Sequence, residues 1–213
     1  SHLCRISGYT PDEEAVELTD EALASLDIAA ENADETRKAG IRGLKRTICG
    51  IKEARSIGLF GDEPWRLSRA VSSAIEHLQA GARDIEATDA SSSLVLALDS
   101  FLESMDLERT AEDPAKSLNA AAEQLRHAGK HLSLLKKDPK ERDARRLIEA
   151  AAILEGQTDK SDTPCEDERR CNQICFGPER DALLLIAGAM ANSLLEQIDD
   201  TSEILSFDES LNL

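Results

Sequence analysis

Apolar residues in this chain recur every three or four positions rather than every second one. Leu118, Ala121, Leu125, Ala128, Leu132 and Leu135 form one such stripe, a spacing that keeps them on one side of an α-helix. Asp113-Pro114 supplies a cap and a first-turn proline, and Asp138-Pro139 stops the helix. Leu67, Val71, Ala74, Leu78, Ala82 and Ile85 repeat the pattern behind Asp62 and Pro64. Leu23, Leu26, Ala30 and Ala33 make a further stripe, followed by Ile41, Leu44, Ile48 and Ile51, with a slip of one residue in phase near Gly40. That slip predicts a break or kink at the glycine.

Three more helices are expected, from Ser91 to about Leu107, from Pro139 to about Glu155, and from about Pro178 to Leu205. The last contains Ala182 to Ala191, a run apolar almost all round, as suits an element at the centre of a bundle. No stretch alternates with a period of two. The fold class is therefore all-α, an antiparallel helical bundle of about six to seven helices without a sheet, because short connections make consecutive helices antiparallel neighbours. Residues 1–213 read as a single helical domain with an irregular cysteine-containing loop at about 157–177. Four Ala-Gly pairs, at Gly40, Gly81, Gly129 and Gly188, fall within or at the ends of these helices. An aliphatic residue follows four positions after the first three glycines, whereas Asn192 follows the fourth. Their spacing is too uneven for a solenoid, and small residues that let helices approach closely explain them more simply.

Charge narrows the partners. Forty-two Asp and Glu against 25 Lys and Arg leave a net −17, which argues against direct nucleic-acid binding. Six aromatic residues in all, four of them Phe, are too few for a stacking platform. No window reaches the roughly 18 uncharged apolar residues of a membrane span. The chain opens Ser1-His2-Leu3-Cys4 without a methionine; this reads as a processed or trimmed start and leaves the compartment open, a removed signal peptide included.

The segment from Gln157 to Gly177 lacks a helical stripe and holds Cys165, Cys171 and Cys175, three of the five cysteines. Thiolates at this x5, x3 spacing are candidate Zn or iron–sulfur ligands, because deprotonated sulfur is a soft donor. His131 is the candidate fourth ligand, and His127 lies one turn before it on the same helical face. The spacing matches no common zinc motif. On the helical wheel His131 falls about 90° and His127 about 130° from the centre of the apolar stripe, which places both at the rim or in solvent. A disulfide that staples the loop, to itself or to Cys4 or Cys49, and ordinary unpaired thiols outweigh a metal site. Glu166, Asp167 and Glu168 beside Cys165 oppose a reactive thiolate, and Arg169 and Arg170 offset them only in part.

Catalytic signatures are missing. The sequence has no Glu-x-x-His of a di-metal bundle, no His-Glu-x-x-His, no glycine-rich phosphate loop and no Gly-x-Ser-x-Gly elbow. The expectation is a non-enzymatic acidic module for protein–protein interaction or scaffolding, with no cofactor required and a partner that presents a basic surface. A Zn or iron–sulfur enzyme or sensor built on Cys165, Cys171, Cys175 and His131 is the alternative. A domain that senses a small molecule between its helices is the third reading, with the scarcity of aromatic side chains against it.

Overall fold

The computed structural model describes residues 13–31, 33–57, 64–86, 88–105, 114–133, 138–158 and 177–198. Among them are seven helices and no strand: α1 (Glu13–Glu31), α2 (Glu35–Ser56), α3 (Pro64–Ala82), α4 (Thr88–Met105), α5 (Pro114–Ser133), α6 (Asp138–Thr158) and α7 (Gly177–Ile198). The fold is all-α, as the three-four spacing requires. Helices α2 to α7 form a closed ring, each packed antiparallel on the next, and α7 completes it by lying against both α6 and α2. Helix α1 stands outside the ring, packed principally on α2.

The stripes read from the sequence face one continuous apolar core. Ile41, Leu44, Ile48 and Ile51 of α2, Val71, Ala74 and Leu78 of α3, and Ala121, Leu125, Ala128 and Leu132 of α5 are all buried in it. Leu94, Leu98 and Phe101 of α4 and Leu147, Ala150 and Leu154 of α6 meet them there. Helix α7 contributes on several sides at once, with Leu183, Ile186, Met190 and Leu194 fully or almost fully buried. Pro178–Ile198 is long and apolar enough to cross a membrane by length and composition alone, and 56% of its apolar window is covered by the rest of the bundle. Its neighbours are α2, α6 and α3, so the same apolarity serves a helix surrounded by others.

The predicted break at Gly40 is not there. Helix α2 runs through it, and the interruption lies at Asp34, whose carboxylate accepts a hydrogen bond from the Arg37 amide at 2.8 Å and caps α2. The slip in phase arises because the two stripes belong to separate helices. Helix α4 also begins before the expected Ser91, at Thr88. Ser91 is occupied otherwise: its hydroxyl donates to the Ala82 carbonyl at 2.6 Å and so satisfies the end of α3. Gln157 and Thr158 continue α6 and Gly177 opens α7, while the rest of the irregular loop lies outside the described residues, as does the expected continuation of the last helix to Leu205.

Close approach explains the glycines. A Cβ on Gly81 would stand 2.8 Å from Thr47 Oγ1 and 2.9 Å from the Gly43 carbonyl, and one on Gly43 would stand 2.7 Å from Leu194 Cδ2. A Cβ on Gly50 would meet Leu78 Cγ at 2.8 Å. Gly40, Gly43, Thr47 and Gly50 therefore line the side of α2 that receives α3 and α7. Gly129 lies against the Ala144 carbonyl and Gly188 against the Arg146 guanidinium, so all four Ala-Gly pairs mark helix crossings.

Backbone cannot yield as a side chain does. Gly81→Ala is expected to destabilise by about 1–3 kcal/mol through overpacking, despite the roughly 1 kcal/mol that alanine gains in helix propensity. Gly156, which has nothing within 4 Å of its Cβ position, gives the opposite sign: Gly156→Ala should stabilise by about 0.5–1 kcal/mol. Urea unfolding of both variants checks the pair, and a stabilised Gly81→Ala would contradict the close crossing.

Candidate functional site

The charge of this protein is unevenly placed. Helix α2 carries seven of the 25 Lys and Arg, namely Arg37, Lys38, Arg42, Lys45, Arg46, Lys52 and Arg55, against only Glu35 and Glu53. Helix α1 holds seven acidic residues and no Lys or Arg. Where the two helices meet, a groove of about 320 Å³ is lined by Asp27 and Ala30 of α1 and by Lys38, Ile41, Arg42, Lys45 and Arg46 of α2. Helical periodicity puts the four cations together, since residues 38, 42, 45 and 46 are separated by four, three and one.

Two of these cations are fixed in place. Asp84, whose side chain is 7% exposed in the turn after α3, accepts hydrogen bonds from Arg42 Nε at 3.0 Å and from Arg46 Nη1 at 2.9 Å. Arg46 Nη1 also donates to the Ala80 carbonyl at 3.1 Å, which places a positive charge at the C-terminal end of α3 where the helix dipole favours one. The hydrogen bond and the charge of Asp84 together raise the pKa of Arg42 above its ordinary value. Gln197 of α7 braces the same turn, with its Nε2 donating to the Asp84 carbonyl at 3.0 Å and its Oε1 accepting from the Glu86 amide at 2.8 Å.

The other two are loosely held. Lys45 pairs with Asp27 across the groove and Lys38 with Glu35 at 3.4 Å, and the acidic side chains of these pairs are 67% and 94% exposed. Exposed pairs of this kind contribute little to stability. Four cations thus share three carboxylates around an apolar floor of Ala30 and Ile41. Chemically the groove can exchange its solvent-exposed carboxylates for those of another molecule, while Arg42 and Arg46 stay oriented.

A second polar cluster lies between α6 and α7. Asp143 is 1% exposed, accepts a hydrogen bond from Asn192 Nδ2 at 2.8 Å and lies 3.5 Å from Arg146 Nη1. Burial pushes its carboxyl up to about 6, and Glu196 adds to the rise; the Asn192 hydrogen bond and the charges of Arg146 and Arg142 oppose it. Asn192 thereby accounts for the one Ala-Gly pair without an aliphatic residue four positions on. The cluster is enclosed, which fits it to join two helices rather than to meet a substrate.

Of the residues singled out as candidate metal ligands, His131 alone falls among the described residues. His131 is half-buried on α5, with Nδ1 3.9 Å from Asp89 Oδ2 at the start of α4; His127 is exposed. Cys165, Cys171 and Cys175 lie outside the described residues, as does Cys4. Cys49 is a half-buried free thiol on α2. Among the described residues no three His, Cys, Asp or Glu side chains form a group able to hold a metal ion.

Sequence reasoning missed both clusters. The net charge of −17 concealed the basic helix, although a count of charge by helix would have found it. Asp143 falls four residues before Leu147 and eleven before Leu154, on the apolar stripe of α6, and a carboxylate in that phase signals a buried partner. Compared with protein-family models, with curated proteins and with solved structures, the chain matches none of them.

Proposed function

We propose that this protein is a non-enzymatic helical-bundle module for protein–protein interaction, and that its contact surface is the basic face of α2 at the α1–α2 groove. The carrying observation is the gathering of Lys38, Arg42, Lys45 and Arg46 around Ala30 and Ile41 on a chain that is otherwise strongly acidic. Such a surface suits a short acidic segment with apolar side chains. Electrostatic complementarity selects the partner, and the apolar floor supplies burial. This differs from the basic partner that total charge suggests, because exposed charges beyond about 8 Å are largely screened at physiological salt, leaving the local cations to dominate at contact.

An extended polyanion suits the surface less well. It would run past the cationic patch onto faces where acidic residues prevail, whereas a short segment stays within it. Two designed amphipathic peptides, one of Glu and Leu and one of Lys and Leu, separate an acidic partner from a basic one when fluorescence anisotropy is measured at low and high salt. The Glu/Leu peptide is expected to bind, and Lys38→Glu combined with Lys45→Glu should weaken it by roughly tenfold or more, on the order of 1.4 kcal/mol. Preferential binding of the Lys/Leu peptide would overturn this assignment and restore the acidic outer faces as the contact surface.

A further inference from the structure

The helix that flanks the groove resembles the ligand just described. Helix α1 is acidic throughout, has no Lys or Arg, and places Asp27 on Lys45. Among its described side chains Leu26 alone is buried, at 6% exposure, with Leu23 and Ala30 only partly covered. It packs principally on α2 and takes no place in the ring. Ile28, on its outer side, is 69% exposed. An acidic helix therefore rests on a basic, partly apolar face, attached among its described side chains through one buried leucine and an exposed ion pair.

We propose that α1 is a displaceable strap, and that the partner is an acidic amphipathic helix of another protein that takes its place on α2. The inference rests on the reading of α2 as an acceptor of acidic segments and adds what regulates it. Displacement costs little on the α1 side, since its described side chains give up one buried leucine, the partly covered Leu23 and Ala30, and the exposed Asp27–Lys45 pair. What the incoming helix gains is the same set of contacts: an apolar residue at the Leu26 position, small residues one turn on, and a carboxylate opposite Lys45. With the strap in place the face is partly occupied, so the apparent affinity for the partner is reduced by the fraction of molecules in which α1 is docked.

The probe is a fluorescently labelled peptide with the sequence of residues 13–31, titrated into the full chain and into the Leu26→Asp variant. Hydrogen exchange of the α1 amides shows whether α1 has been released. Where exchange stays slow, Leu23→Asp is added to Leu26→Asp. Release of α1 should tighten binding of the probe by roughly tenfold or more. Lys45→Glu in the same background should cancel the gain, and a probe with aspartate at its Leu26 position should not bind. Equal binding to the intact and released chains would overturn the strap while leaving the acceptor face standing, provided the Glu/Leu peptide binds. If neither acidic peptide binds either form, both readings fall. Competition by an unstructured oligonucleotide as effective as the peptide would also overturn the inference, because a surface that reads charge alone has no use for Leu26.

Discussion

Leu125→Ala should cost about 2–5 kcal/mol of stability, whereas His127→Ala, two residues away on the same helix, should stay within about 0.5 kcal/mol. Leu125 is fully buried at the middle of α5, between α4 and α6, so truncation removes its transfer energy and leaves a cavity that a ring of helices fills only in part. His127 points to solvent and loses nothing comparable. For a chain of this size the leucine change corresponds to a fall in Tm of roughly 4–20 °C at about 2–4 °C per kcal/mol. Thermal or urea unfolding of the two variants beside the parent decides the matter. Equal losses would mean that the phase of α5, and with it the packing of α4 and α6, is other than described.

The second large effect depends on pH. In the folded chain Asp143 protonates at about 6 rather than its ordinary 3.8. Between these values the folded state keeps a proton that the unfolded chain has released. The stabilisation from this group is therefore fully present below the unfolded value and is lost as pH rises through the folded one. At about 1.4 kcal/mol for each tenfold change in proton affinity, the loss is on the order of 3 kcal/mol between about pH 4 and pH 7. Glu155 opposes the trend, since its hydrogen bond from Arg126 holds its carboxyl below the usual range, and that stabilisation disappears on acidification. The comparison is therefore with Asp143→Asn, which keeps the shape and removes the titration. The stability of the parent relative to the variant should fall by on the order of 3 kcal/mol as pH is raised. Parallel curves would show that Asp143 does not titrate as its burial requires.

Much of the architecture was legible because helix burial is periodic and the chain has few other signals. Val71, Ala74, Leu78, Ala82 and Ile85 of one stripe and Ala121, Leu125, Ala128 and Leu132 of the other are buried, Leu118 is partly so, and α5 and α6 begin at the Pro114 and Asp138 of the two Asp-Pro pairs. What escaped was whatever depends on contacts between distant segments. Gly40 looks like a breaker along the sequence and is a mid-helix contact in space, because Ile198 comes within 3.0 Å of its Cβ position. The α1–α2 groove escaped for a related reason: the spacing of Lys38, Arg42 and Lys45 defines a cationic side of α2, but Asp84 and the Ala80 carbonyl, which orient Arg42 and Arg46, arrive from α3 and the turn after it. Asn192 stood out as an exception in a weak pattern, and its meaning required α6 beside it.

The closing position of α7 also bears on how the chain is made. Synthesis proceeds from the N-terminus, so α2 through α6 emerge from the ribosome while the flanks that will receive Leu183, Ile186 and Met190 remain open to water. Until α7 clears the exit tunnel the nascent protein has an apolar seam, the kind of surface that chaperones bind and that drives premature association. Variants shortened within Gly177–Ile198 are thus expected to accumulate as aggregates rather than as slightly weakened bundles.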